Sequence, residues 1–193
     1  MDKIGNIITS NRRKLEEFYK KGIEKNNLEH IPLDLTIEKN VINLFNHIKE
    51  KYKKLDLLVN CIGGSLYTHT IKDFPISHFD KVIAVNLRSA FMLTKEAIKL
   101  MNNNGSGGNI IHFVSSSAKN IAPGRAPYGA AKAGLAHLIH YAAAEAAEYN
   151  IKVNGISPTY VFTERHEQEI RNKSKKTDLT REEIINKNLK IKY

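Results

Sequence analysis

A single cysteine, Cys61, stands in 193 residues. That count excludes an intrachain disulfide and a multi-thiolate metal site, and a reducing cytoplasm is the simplest compartment. No apolar run approaches the roughly 18–20 residues a helix needs to cross a bilayer. The opening stretch, MDKIGNIITSNRRKLEEF, has neither an apolar signal core nor a small-residue cleavage site. Acidic residues are in deficit: 30 Lys and Arg face 20 Asp and Glu, for a net charge of +10. The basic excess is dispersed among acidic residues, and the tail 164–193 mixes nine basic with six acidic side chains. A solvated surface therefore accounts for the charge better than a nucleic-acid patch, which concentrates it on one face. With 41% hydrophobic residues the chain can bury a core and is not disordered.

Short apolar runs alternate with helical patterns. Strands are expected at Ile7-Ile8-Thr9, His30-Ile31-Pro32-Leu33, Leu57-Leu58-Val59, Ile110-Ile111-His112-Phe113-Val114 and 151–156. Between them lie a helical spacing at Leu15, Phe18, Tyr19 and Ile23, and a stripe at Val41, Leu44, Phe45, Ile48 and Tyr52. A long apolar helix is predicted over 82–101, and an Ala-rich helix opens at Pro127 and runs to about Tyr149. Thr180-Arg-Glu-Glu183 is a capping-box pattern that starts a further helix. This alternation implies a parallel sheet with helices on both faces, with ligands beyond the carboxyl ends of the strands.

Tyr128-Gly-Ala-Ala-Lys132 puts a phenol and an ammonium on one helix face. A phenol ionises near pH 10, and a neighbouring cation favours the ionised form, which suits general acid–base work. Taken alone the pair is equally a feature of a helix surface. Ser115 ends the preceding strand, Asn60 ends an earlier one in Asn60-Cys-Ile-Gly63-Gly64, and Asn86 interrupts an apolar helix, where an unpaired amide is costly.

These residues, in this order and spacing, resemble the short-chain dehydrogenase/reductase family over about residues 6–163. The matching segments are Asp56-Leu-Leu-Val-Asn60-Cys-Ile-Gly63, Val85-Asn86-Leu87, Ser115 thirteen positions before Tyr128, Tyr128-x-x-x-Lys132, and Val153-Asn154-Gly-Ile-Ser-Pro158. The resemblance implies an α/β, three-layer, doubly wound Rossmann-like fold and hydride transfer between NADP(H) or NAD(H) and a carbonyl or alcohol. It implies residues 1–163 as the NAD(P)-binding catalytic domain and 164–193 as a charged helical substrate lid of the same domain. Tyr128 would be the acid/base, with Lys132 favouring its ionised form and holding the nicotinamide-ribose hydroxyls. Ser115 would bond the substrate oxygen, and Asn86 would hold a water that relays protons to Lys132. Asp34 would contact adenine, Asn60 and Gly63 would line the cofactor cleft, and Thr163 would meet the carboxamide. Plainer readings stay open: Asp34 as a helix cap, Asn60 as a strand-end turn, Ser116 in place of Ser115, and Thr163 as a helix start. Cys61 reads as a small buried residue, and no metal is assigned.

The family's first strand and Gly-rich turn have no counterpart before residue 6, and no G-x-G-x-x-G occurs anywhere in the chain. The fold is expected to be incomplete at its N-terminus, with a gap between the strands at Ile7-Ile8 and Leu57-Val59. Dinucleotide binding by the chain as written is expected to be weak, because the pyrophosphate lacks its N–H cradle. Ser10-Asn11-Arg12-Arg13 ends the first strand without an acid, so Arg12 points to NADP over NAD, unless it merely opens a solvent-facing helix. Thr159 replaces the family's glycine after Pro158. Self-association into a homodimer or homotetramer is expected through the helices bearing Asn86 and Tyr128, the latter rich in alanine. Partners are a small carbonyl or alcohol, not nucleic acid or membrane. The competing readings are a non-catalytic remnant acting as an interaction module and, more weakly, a nucleic-acid-binding module.

Overall fold

The structure, a computed structural model, describes residues 6–11, 28–103, 105, 107–158, 164–175, 177 and 179–190. Five strands are present among them: β1 (Ile7–Asn11), β2 (Leu28–Pro32), β3 (Leu57–Asn60), β4 (Gly108–Phe113) and β5 (Ile151–Ile156). The helices are α1 (Glu38–Tyr52), α2 (Ile76–Ile83), α3 (Ser89–Asn103), α4 (Ala126–Ala146), α5 (Glu164–Ser174) and α6 (Arg181–Lys190). All ladders are parallel, as a β-α-β alternation requires. The architecture is the three-layer, doubly wound α/β type.

The sheet is split. β1 pairs with β2, and β3, β4 and β5 pair in that order, but no ladder among the described residues joins β1 to β3. The split falls where the sequence places the gap. β3→α3→β4 and β4→α4→β5 step in the same direction across the sheet, so the right-handed crossover rule puts α3 and α4 on one face. α1 packs beside α3 on that same face. The core lies there: Val41, Leu44, Phe45 and Ile48 from α1 meet Leu93, Ala97 and Leu100 from α3, above Ile110, Ile151 and Val153. On the other face Leu57 and Val59 remain 50% and 48% exposed.

Two sequence expectations change in detail. The helix expected over 82–101 begins earlier, at Ile76 after Pro75, and a π-helical turn at Ala84–Arg88 divides it. In that turn the Ser89 N–H donates to the Ala84 carbonyl, five residues back. The side chains of Asn86 and Ser89 donate to the Val82 and Val85 carbonyls at 2.9 and 2.7 Å, supplying bonds where the ladder shifts register. The Ala-rich helix gives way at Ala146 to a 3-10 turn over Ala147–Tyr149, and Asn150 in the left-handed region closes it. The expected capping box is present: Glu183 accepts from the Thr180 N–H at 2.8 Å and from its hydroxyl at 2.9 Å. The helical spacing at Leu15 to Ile23 lies outside the described residues.

One polar cluster ties the β1–β2 pair to the rest. Glu29 on β2 accepts from the Tyr52 hydroxyl at 2.7 Å, and Lys51 and His47 each lie 3.1 Å from it. The bonds from Tyr52 and His47 hold its carboxyl down at about 2. The folded pKa lies below the ordinary value, so this contribution is full above about 4.5 and is lost as pH falls towards 2. Glu29→Gln should lower stability by about 1 kcal/mol at pH 7, the low end for charged hydrogen bonds because the cluster is part-exposed. Urea unfolding at pH 7 and pH 3 checks it: the deficit should shrink at the lower pH.

Candidate active site

The site is built at the carboxyl ends of β3 and β4 and on the first turns of α4. β4 ends at Phe113, and Ser115 then caps a 3-10 turn, Ser116–Ala118, accepting from the Ser117 N–H at 3.1 Å. That turn packs on α4 at Gly129, where an added Cβ would lie 3.3 Å from the Ser117 carbonyl. Ser115 thus stands at the start of a turn that packs on the helix bearing Tyr128. Pro127 in the first turn of α4 presets the helix that presents Tyr128 and, one turn on, Lys132.

Lys132 is 3% exposed. Its ammonium donates to the Phe113 carbonyl at 2.7 Å and lies 5.9 Å from the centre of the Tyr128 ring. Burial pushes its pKa down to about 8, and nearby Cys61 acts in the opposite direction. Among the described residues no carboxylate pairs with it.

Gly63 is there because nothing larger fits. A Cβ on it would come within 2.8 Å of Asn86 Oδ1 and 2.9 Å of Lys132 Nζ. Its neighbour Gly64 is clamped by Asn86: the Gly64 N–H donates to Asn86 Oδ1, and Asn86 Nδ2 donates to the Gly64 carbonyl, both at 2.9 Å. Asn86 is fully buried with both ends of its amide satisfied, which answers why an amide interrupts an apolar helix. The expected set of Asn86, Lys132 and Gly63 converges on one point, with Asn60 at the base of the same turn.

Asn60 is buried, and its Oδ1 accepts from the Ile62 N–H at 3.0 Å. Its Nδ2 faces His112 Nδ1 at 3.1 Å, while His112 Nε2 faces the Thr94 hydroxyl oxygen at 2.9 Å. The Thr94 hydroxyl donates to the Ala90 carbonyl, 2.7 Å away. Burial, then Lys132, lowers the His112 pKa to about 4. Neither His112 nor Thr94 was singled out from sequence as a site residue. The available signal was a histidine inside an otherwise apolar strand.

Asp34 stands before α1, and its Oδ1 accepts from the Thr36 N–H at 3.0 Å and the Thr36 hydroxyl at 2.7 Å. It therefore organises the turn into α1. Arg12, Thr159 and Thr163 lie outside the described residues. Cys61 corrects an expectation: it is exposed, because the chain leaves β3 there. The residues present suit the nicotinamide-ribose end of a dinucleotide. Of the three ammonium N–H donors on Lys132, Phe113 takes one, and a Cβ on Gly63 would crowd the ammonium at 2.9 Å.

The lowered pKa of Lys132 has a sign. The unfolded chain holds the proton more tightly, so the buried charge costs stability at neutral pH, and the cost is relieved as pH rises from about 8 to 10.5. Lys132→Met should therefore raise stability at pH 7 by roughly 1 kcal/mol, after the stranded Phe113 carbonyl is deducted. Urea midpoints of the two proteins at pH 7 and pH 10 test this; the gap should close and change sign at the higher pH.

Comparison with known proteins agrees with this geometry. The sequence profile of the family described as enoyl-(acyl carrier protein) reductase matches residues 6–192. D-beta-hydroxybutyrate dehydrogenase of Rhizobium meliloti is 33% identical over 165 residues, 86% of this chain and 63% of that protein. The solved structure of ElxO with NADP bound superposes with a TM-score of 0.78 at 27% identity, over 88% of this chain and 69% of that one. NAD+-bound xylitol dehydrogenase does so with a TM-score of 0.71 at 28% identity, over 78% and 57%. The chain thus spans less than two thirds of the hydroxybutyrate dehydrogenase it matches. With its Tyr-Lys pair, its clamped glycine turn and its parallel strands, the chain belongs to the short-chain dehydrogenase/reductase family.

Proposed function

We propose that the protein reduces a small carbonyl compound, or oxidises the corresponding alcohol, with Tyr128 moving the proton. The observation that carries this reading is the buried Lys132 ammonium, without a carboxylate partner among the described residues, held between Gly63 and the Tyr128 ring. A nicotinamide dinucleotide would supply or accept the hydride when bound. Lys132 would hold its ribose hydroxyls with the N–H donors that Phe113 does not use. The Ser117 N–H occupies Ser115 Oγ as acceptor, so the Ser115 hydroxyl proton is the one directed at a substrate oxygen. Tyr128 would give its proton to that oxygen in reduction and take it back in oxidation. Asn86 spends both ends of its amide on Gly64 and Val82, so its contribution is to fix the turn that carries Gly63.

NADP(H) is the proposed dinucleotide. The strand end Ser10-Asn11-Arg12-Arg13 offers no acid for a ribose 2′-hydroxyl and two cations for a 2′-phosphate. Tyr128→Phe in the whole protein should lower kcat for ketone-dependent NADPH oxidation by about 10²–10⁴. Undiminished turnover in that variant would overturn the assignment, and a lower KM for NADH than for NADPH would overturn the choice of dinucleotide.

We further propose pairing of two copies through α3 and α4. An apolar groove of about 490 Å³ runs between them, lined by Leu87, Phe91, Gly134, Leu138 and Tyr141 among others. Phe91 and Tyr141 are 53% and 59% exposed there. Of the alanines on α4, Ala142 and Ala146 face the chain's own core, so the groove residues carry the proposed contact instead. Phe91→Asp should yield a monomer by light scattering at concentrations where the parent is a dimer or tetramer.

A further inference from the structure

We propose that His112, in its neutral form with the proton on Nε2, is a positioning residue that sets the Asn60–Gly64 turn against Lys132. The inference rests on the reading of Tyr128 and Lys132 as the reacting centre. It starts from hydrogen-bond directions that leave one solution.

The Ile62 N–H donates to Asn60 Oδ1, so the other end of that amide, Nδ2, points at His112 Nδ1 as a donor. His112 Nδ1 must then accept and carries no proton. The opposite nitrogen, Nε2, carries it and donates to Thr94 Oγ, whose own proton goes to the Ala90 carbonyl. Each donor has one acceptor from β3 through β4 to α3, and His112 is 1% exposed, so no water competes. If Nδ1 gained a proton, two donors would face each other. Turning the Asn60 amide over would cure that clash only by setting Nδ2 against the Ile62 N–H. The imidazole therefore determines which way Asn60 faces, and Asn60 determines whether the Ile62 amide is held.

The turn held in this way ends at Gly63 and Gly64. Asn86 grips its far end through Gly64, and a Cβ added to Gly63 would lie 2.9 Å from Lys132 Nζ. Phe113, next after His112 on β4, is the residue whose carbonyl receives the Lys132 ammonium. The strand that carries His112 thus bears on the turn through Asn60 and on Lys132 through the Phe113 carbonyl. The charged group facing His112 is the Lys132 ammonium on α4, which, like burial, disfavours a second cation there. The neighbours from β3 and α3, Asn60 and Thr94, are neutral.

Two isosteric variants separate positioning from simple packing. Asparagine places its carbonyl oxygen near the Nδ1 position, so His112→Asn keeps the acceptor for Asn60 and gives up the bond to Thr94. Glutamine reaches the Nε2 position, so His112→Gln keeps the bond to Thr94 and gives up the acceptor. Hydrogen exchange at Ile62 and Gly64, measured on the whole protein without substrate, should quicken at least tenfold in His112→Gln and stay within about threefold of the parent in His112→Asn. KM for the dinucleotide should rise in the same variant, with a smaller change in kcat. Equal exchange at both amides in the two variants, or changes that merely follow their unfolding midpoints, would overturn the proposal. The exchange readout needs no turnover, so absence of ketone reduction would count against the proposed function alone, while the amides still decide the role of His112.

Discussion

A lysine ammonium taken out of water, with no carboxylate partner among the described residues, constrains much of what surrounds it. Lys132 is held by a backbone carbonyl and bordered by a glycine, an asparagine amide and a tyrosine ring. A carbonyl dipole offsets only part of the desolvation of a full charge, so the proton is held less tightly than on a surface lysine. The irregular features nearby serve that placement. Gly63 is small because a Cβ would collide with the ammonium, and the π turn at Ala84–Arg88 carries the buried Asn86 amide to the Gly64 backbone. π turns concentrate at functional sites because they aim one side chain that a regular helix would aim elsewhere.

The fold supplies rigidity to this corner and leaves other parts less covered. α1, α3 and α4 bury one face of the strands, and the site residues hang from the ends of elements within that core. The opposite face keeps Leu57 and Val59 half exposed, and the strand pair β1–β2 is tied to α1 through the Glu29 cluster. Local stability follows buried apolar contact, so the end that holds Tyr128, Lys132 and Ser115 is expected to be the stiff end. The proton transfer proposed for Tyr128 would need that stiffness, since geometry must be held to a fraction of an ångström for the transfer to be efficient.

The five strands and the Tyr128–Lys132 helix were legible because their signals are local and repeated. An apolar run of five is a strand at any register, and Pro127 marks a first turn without reference to the rest of the fold. The division of the long helix was not legible, since the stretch around it is apolar on most sides and offers no clean stripe for one extra residue to interrupt. Asn86 betrayed it only as an anomaly. The exposure of Cys61 and the inward facing of Ala142 and Ala146 depend on what lies across from them. His112 reads as a polar residue in a strand; its meaning appears only when Asn60 and Thr94, distant in sequence, are brought to its two nitrogens.

A carboxylate beside Lys132 would satisfy the ammonium better than Phe113 does, and that none pairs with it among the described residues fits the chemistry proposed for the site. An ion pair would raise the lysine pKa, occupy two of the three donors and leave the interior with a charge pair that no ligand could easily displace. A single carbonyl orients the ammonium and leaves the other donors for whatever enters beside Gly63. The same economy applies to His112, whose partners are an amide and a hydroxyl, so that the neutral ring adds no charge next to the lysine. Burial and, after it, the Lys132 ammonium both disfavour a charge on His112. Burial pushes both pKa values down, and the interval between about 4 and about 8 is where His112 is neutral and Lys132 protonated together. Within that interval Asn60 keeps its acceptor on His112 while the Lys132 ammonium donates to Phe113, the two conditions the proposed chemistry would need at once.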